Sequence, residues 1–378
     1  MKLLKQIFRF IKKKFYILFI IQRRFRIRID VKLKIKKIIN KHPLLRNKKN
    51  RDKAYLIESR KFIQKYFPGY RNTSWHYVCS TLNGIKSIEY IPEDLFYTHI
   101  LPALNNKMLK SAYTDKTAYH LFFDKKFMPK TIFKILYGRF YTEDYELVDN
   151  DDAINTISKI EEKIVLKPAI LSGGGKNVVI KNAIEIAIIL RSSSGYQQDG
   201  FIIQEYINQH ETLKQFHPNS LNTLRIMTGR KNNEIIVLCS YFRTGRNNSV
   251  IDNGVAGGYM CGFSENGKLH KVAYDALFNT SEQHLDTGIA FHNVTIPGVK
   301  EARDFCKTYH KKFPYFTIIS WDIAINENSQ PILIEFNVGI LGVAIPQIIN
   351  GPIFGDNTEY FMEQYKVSKS YNRLGITL

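Results

Sequence analysis

Apolar residues recur along this chain in two rhythms, and the change from one to the other marks its elements. Leu3, Leu4, Ile7, Phe8, Ile11 and Phe15 return at the spacing of one helical face, with lysines and arginines between them. From Phe25 to Ile35 the odd positions are apolar and the even ones mostly basic, which is a strand period, so helix and strand both stay open for this stretch. Residues 53–64 read as a helix broken by Pro68-Gly69, residues 91–102 as a loop-rich connection, and residues 115–127 as a helix closed by Met128-Pro129. Strands are predicted at 163–168, 178–181, 201–206, 223–229, 234–241, 258–263, 318–325 and 332–337. Asn182 with Glu185 resembles a capping box that opens a helix to about Ser192, and a second helix covers 299–312. The pattern is that of an α+β chain with antiparallel sheets and no internal repeat.

At 378 residues the chain has room for two to three domains of about 150 residues each. The formal charge of +21 suggests nucleic acid until it is located. Residues 1–53 hold 20 Lys and Arg against Asp30 and Asp52, so this arm supplies +18 and the other 325 residues only +3. Its longest unbroken apolar run, residues 15–21, is far short of the roughly 20 residues that span a bilayer, and no small-residue cleavage site follows it. Basic residues interleaved with aromatic and aliphatic ones favour an anionic membrane surface. The alternatives are a basic face docked on the body and, less in keeping with the composition, nucleic acid. Cys79, Cys239, Cys261 and Cys306 lie far apart with no CxxC pairing, which argues for buried thiols in a reducing cytosol rather than disulfides or zinc.

The clearest chemistry lies in residues 320–337. Two apolar runs flank the turn Glu327-Asn328-Ser329-Gln330, and an antiparallel hairpin about that turn puts Asp322 opposite Glu335, with Asn337 one strand period further. Like charges directly across a ladder repel. A divalent cation between them would relieve this, and Asp, Glu and an Asn amide are the hard oxygen donors that Mg²⁺ prefers, usually in company with phosphates. Upstream, Lys167 closes a strand beside the loop Ser172-Gly173-Gly174-Gly175-Lys176. Three glycines allow close backbone approach to phosphate oxygens, and Lys167 is placed to neutralise one; the bland reading is a flexible turn. The strand 201–207 runs apolar into Gln204-Glu205-Tyr206-Ile207, where a base can meet backbone groups. Arg225 interrupts an apolar strand and Arg243 ends the next; such arginines need an anion, either a ligand's or an internal ion pair's. Asn253, Gly257 and Gly258 belong to a second glycine-rich turn. The histidines show no metal spacing and are taken as polar loop residues.

These pieces stand in one order: Asp115-Lys116, Lys167-Pro168, the Gly173–Gly175 loop, Gln204 to Ile207, Arg225, Arg243, Asn253 with Gly257-Gly258, then Asp322, Glu335 and Asn337. The order resembles the ATP-grasp superfamily over residues 105–350. The stretch from Gln209-His210 through Asn222-Thr223-Leu224-Arg225 resembles its sugar-transfer-associated branch. The resemblance implies an ATP-grasp fold, two α+β lobes with mainly antiparallel sheets enclosing the nucleotide. It divides the chain into a basic arm (1–55), a mixed helical region (56–104), a lobe with the glycine loop (105–207), a lobe with the metal site (208–350) and a tail (351–378). It implies ATP and Mg²⁺ as cofactors. Lys116, Lys167 and the loop from Ser172 to Lys176 would hold phosphates, Glu205 and Ile207 adenine, and Glu211 the ribose. Arg225 and Arg243 would hold the acyl phosphate or substrate carboxylate, with Asn253, Gly257 and Gly258 beside the substrate, and Asp322, Glu335 and Asn337 the metal. Relatives commonly place a proline after the metal asparagine, whereas here Asn337 precedes Val338-Gly339. The implied activity is a carboxylate–amine ligase forming an amide through an acyl phosphate, acting on a uronic-acid sugar in surface-polysaccharide synthesis. It would be cytoplasmic, peripheral on the inner face of the plasma membrane, with no nucleic-acid partner. A sugar or glycan kinase and a non-catalytic membrane-associated adaptor are the competing readings.

Overall fold

The computed structural model describes residues 2–170, 175, 177–192, 200–247 and 257–373, with side chains from residue 18 onward and at Lys14, up to Ser368. The glycine-loop residues Ser172, Gly173, Gly174 and Lys176, and Asn253, lie outside them. The chain forms two compact units, one of residues 1–104 with 351–378, the other of residues 105–350.

The first unit is helical. Its helix α1 (Lys2–Lys41) includes the stretch whose alternation left helix and strand both open. At about 3.6 residues per turn, alternating apolar positions separate into two stripes with a spacing of four. Ile27, Val31 and Ile35 fall on one side of the helix and Phe25, Ile29 and Leu33 on the other. Val31, Ile35 and Ile38 are buried, and Lys34 pairs with Glu93 at 2.9 Å, so the first stripe is the docked one. The helix Lys53–Gln64 starts where predicted, with Asp52 accepting from the Tyr55 amide at 3.1 Å. Residues 91–102, expected as loop, are mostly helical turns (Glu93–Leu95, Phe96–Ile100 and the start of Leu101–Leu104). Burial of Leu95, Phe96 and Ile100 makes helix the way to satisfy their backbone. The helices Ser74–Asn83 and Thr358–Arg373 complete the unit.

The second unit holds two antiparallel sheets. In the first, the strands are β1 (Thr131–Leu136), β2 (Arg139–Tyr141), β3 (Leu147–Val148), β4 (Lys163–Pro168), β5 (Val179–Asn182) and β6 (Phe201–Glu205), ordered β3-β2-β1-β6-β4-β5. β1 and β2 were missed in the sequence; Tyr137 and Gly138 both take positive φ, the two-residue turn that matches strand twist. One face of this sheet, with Ile164, Leu166 and Ile203, packs on the helices Asn150–Ser158 and Ala183–Ser192. The predicted cap forms, Asn182 accepting from the Glu185 amide at 2.9 Å. The second sheet contains β7 (Thr223–Lys231), β8 (Glu234–Thr244), β9 (Tyr259–Phe263), β10 (Leu269–Tyr274), β11 (Thr280–Ser281), β12 (Ile318–Ile325) and β13 (Pro331–Asn337), ordered β11-β10-β9-β8-β7-β12-β13. Its core face carries Leu224, Ile226, Trp321 and Phe336 against the helix Val299–His310. The expected helix over 115–127 is instead two short 3₁₀ turns, Lys116–Leu121 and Lys125–Phe127. The α+β class with mainly antiparallel sheets is what the structure has.

Candidate functional site

β12 and β13 pair as the sequence implied at the critical rung: Ser320 opposes Asn337 and Asp322 opposes Glu335. Beyond it the register slips, Ile323 facing Leu333 rather than Ile334. This one-residue bulge decides which side chains meet. In a regular strand Leu333 and Glu335 share a face. The bulge lets Leu333 enter the core while Glu335 turns to the opposite face beside Asp322. The result is a two-by-two block of oxygen-bearing side chains, Ser320, Asp322, Glu335 and Asn337. Asn337 Nδ2 lies 3.4 Å from Glu335 Oε1. The Ser320 hydroxyl is fully buried and has no hydrogen-bond partner among the described residues.

The repulsion that suggested a metal is relieved by the chain's own cations, which corrects that step of the sequence argument. β7 sets Arg225 opposite Asp322 on the other flank of β12. Arg225 holds both carboxylate oxygens, Nη2 to Oδ2 at 2.9 Å and Nε to Oδ1, and Arg243 Nη1 lies 3.1 Å from Oδ1. Burial acts to raise the Asp322 pKa, but the two guanidiniums outweigh it and hold the carboxyl below its ordinary value. The two arginines expected on a substrate anion therefore sit on an internal one. Glu335 is matched separately, Oε2 standing 3.1 Å from Lys116 Nζ.

Lys116 and Lys167 come together from different elements. The Lys116 amide donates to Ala169 O at 3.0 Å, which ties the turn to the end of β4, where Lys167 is buried. Asp115 caps that turn, accepting from the Thr117 amide at 2.9 Å. The Lys167 pKa is pushed down to about 7, first by burial and then by the Lys116 charge, with Glu335 acting against both. Two buried cations and one carboxylate are thereby brought together, and burial makes the uncompensated positive charge costly. Lys134, which sequence reading missed, lies in the same row as Lys167 across Ile202 of β6. It donates to Glu143 O at 2.5 Å and lies over the Tyr145 ring, its pKa lowered to about 8 by burial. A lysine in the apolar run of 131–136 was the available signal.

The remaining expected positions are more dispersed. Gln204 is buried and donates to Pro129 O at 3.2 Å. The Glu205 amide is already engaged by Lys130 O at 3.0 Å and its side chain by Lys130 Nζ at 2.8 Å. Tyr206 and Ile207 are half-buried. Glu211 is exposed and pairs with Lys214 at 3.0 Å. Gly175 and Gly257 take positive φ, the conformation glycine tolerates, and Gly258 is buried. His217, taken as a polar loop residue, is buried: Nδ1 accepts from the Ser220 amide at 3.1 Å. With Gln209 and Asn222 it forms a closed network at the start of β7, where Gln209 Oε1 accepts from both Asn222 nitrogens at 3.0 Å.

Among the described residues no group of three or more His, Cys, Asp or Glu is arranged to hold a metal. The block described above has two carboxylates, an amide and a hydroxyl instead. Its hard oxygens and the orphaned Ser320 hydroxyl fit Mg²⁺ in donor type.

Residues 179–360 match the family profile described as sugar-transfer associated ATP-grasp. No curated protein matches the chain at a significant level. Similar solved structures include D-alanyl-alanine synthetase A from Vibrio cholerae, 12% identical, covering 68% of this chain and 65% of its own, at a TM-score of 0.40. The ATP-grasp ligase PsnB complexed with minimal precursor is 12% identical over 69% of this chain and 64% of its own, at 0.38. The biotin carboxylase domain of Hydrogenobacter thermophilus 2-oxoglutarate carboxylase, bound to MgADP and bicarbonate, is 13% identical over 68% and 45%, at 0.37. The chain thus spans between 45% and 65% of the length of these three proteins.

Proposed function

We propose that this chain, whose residues 179–360 match the sugar-transfer associated ATP-grasp profile, belongs to that family and is an ATP- and Mg²⁺-dependent carboxylate–amine ligase. The observation that carries the reading is the convergence of buried Lys116 and Lys167 on Glu335, beside Asp322 and Asn337. Two cations and a block of hard oxygens on facing elements suit the phosphates of a metal-bound nucleotide better than they suit packing.

A carboxylate is a poor electrophile because its charge repels nucleophiles. In the proposed reaction its oxygen attacks the γ-phosphorus, the bond to the β-phosphate oxygen breaks, and ADP leaves. An amine then attacks the acyl carbon, phosphate departs with the C–O bond pair, and a proton is released. The protein's share is positioning and charge neutralisation. Lys116 and Lys167 bind phosphate oxygens, and the segment Ser172 to Lys176, Gln204 to Ile207 and Glu211 are the further proposed nucleotide contacts. Mg²⁺, held by Asp322, Glu335 and Asn337, would offset phosphate charge. An incoming carboxylate would compete with Asp322 for Arg225 and Arg243, with Asn253, Gly257 and Gly258 as the other proposed substrate contacts. The family's association with sugar transfer supports a uronic acid as the acid and an amino acid as the amine, in capsule or other surface-polysaccharide synthesis, with the enzyme cytoplasmic and peripheral on the plasma membrane.

The test is ADP release across a panel of uronic acids and amino acids, with mass spectrometry of the product. Amide formation and ADP release that needs both partners support the ligase. Full ADP release without any amine, leaving a stable phosphorylated sugar, shows a kinase instead. Absence of nucleotide binding, with function intact in Asp322→Ala, shows an adaptor.

A further inference from the structure

The helix α1 has a second apolar stripe that its own unit leaves uncovered. Leu18, Ile21, Phe25, Ile29 and Leu33 follow one another at spacings of three and four, so they line one side of the helix. Their exposures are 60%, 56%, 64%, 41% and 59%, whereas Val31, Ile35 and Ile38 on the opposite side are buried. Arg28 borders the exposed stripe on one side and Arg26 and Lys37 on the other, Lys14, Lys32 and Lys36 stand within its arc, and all are exposed. Over its whole length α1 carries 15 Lys and Arg and a single acid, Asp30.

We propose that this face docks flat on the surface of an anionic phospholipid bilayer, the aliphatic and aromatic stripe entering the headgroup boundary and the flanking bases meeting lipid phosphates. The proposal deepens the peripheral-membrane part of the reading above and stands apart from the ligase chemistry. Three observations select this occupant. An apolar stripe with cations on both flanks matches an interface that is apolar below and negative above. A second copy of the chain is disfavoured, because the heptad positions that continue from Leu18, Phe25 and Ile29 are Gln22, Lys32 and Lys36, and two such helices would bring like charges together. Nucleic acid would use the bases but has no use for five exposed apolar side chains. The helix does not cross the membrane, since no helix among the described residues is long and apolar enough to do so.

The experiment is co-sedimentation of the full chain with phosphatidylcholine vesicles, with and without phosphatidylglycerol, for the wild type, Phe25→Glu with Leu33→Glu, and Arg28→Gln with Lys32→Gln. Both altered pairs are solvent-exposed, and circular dichroism melting verifies that each variant is folded. The expected result is binding only to the anionic vesicles, weakened at least about tenfold by either pair. Nucleotide binding in solution, measured on the same samples, stays at the wild-type level, so loss of lipid binding and failure of the ligase reading are separable. The proposal is overturned if the wild type ignores anionic vesicles, or if Phe25→Glu with Leu33→Glu binds them as tightly as the wild type. It is equally overturned if that variant instead abolishes a concentration-dependent dimer, or if a DNA duplex competes fully for the wild-type face.

Discussion

Lys167 is buried at the end of β4 close to Lys116, and its ammonium is held near the edge of deprotonation, at about 7. Burial disfavours the charge, the neighbouring lysine adds to this, and Glu335 compensates in part. Phosphate oxygens would restore the charged form, so nucleotide binding takes up a proton. The sign follows: above pH 7 the free site is increasingly neutral, and binding must first protonate it. The KM for ATP should therefore rise as pH climbs past about 7, and calorimetry in buffers of different ionisation enthalpy should record proton uptake. Replacing the cation, Lys167→Met, should cost at least about a hundredfold in kcat/KM while leaving the melting temperature unchanged or raised, because an apolar group replaces a buried charge. Asp322 behaves oppositely. It neutralises two guanidiniums, so Asp322→Ala should destabilise the protein by about 3–5 kcal/mol, read as a lower urea midpoint. A ligand-only role for Asp322 would leave that midpoint in place.

At the scale of elements, the site depends on how β12 accommodates two neighbours at once. Its odd residues fill the core, its even ones carry Ser320 and Asp322, and the bulge in β13 brings Glu335 to the even side without withdrawing Leu333 from the core. The alternation in β12 and the facing of Asp322 and Glu335 could be read from residue spacing, since a hairpin is a local structure. The bulge could not, because it arises from packing Leu333 and Phe336 against a helix formed by residues 299–310. The network of Gln209, His217, Ser220 and Asn222 has the same origin. As spaced polar residues they belong to the stretch that resembles the family branch; folded, they close the hydrogen bonds where β7 begins, three residues before Arg225. Asn222→Ala, which strands the Gln209 and Gly245 partners, should cost about 1–3 kcal/mol in thermal or denaturant unfolding and lower turnover through Arg225.

At the scale of the whole molecule, charge and chemistry occupy different units. Residues 1–53 hold +18 of the +21, while the lysines, arginines and acids of the site lie within residues 105–350 and largely cancel one another. Salt should therefore act on the two unequally. Near 1 M, where screening reaches only about 3 Å, vesicle binding through α1 should be lost while ADP release falls far less, as assayed on one preparation. Composition and spacing alone determined where the basicity lies, that the sheets are antiparallel, and that Asp322 faces Glu335, because each follows from residues close in sequence. Only the tertiary structure decided that Arg225 and Arg243 occupy Asp322, that Lys167 sits beside Lys116, and that residues 25–35 are helical. Those outcomes depend on which segments become neighbours in space. An alternating apolar pattern satisfies a strand or a two-sided helix equally well until one side of it finds a surface on which to be buried.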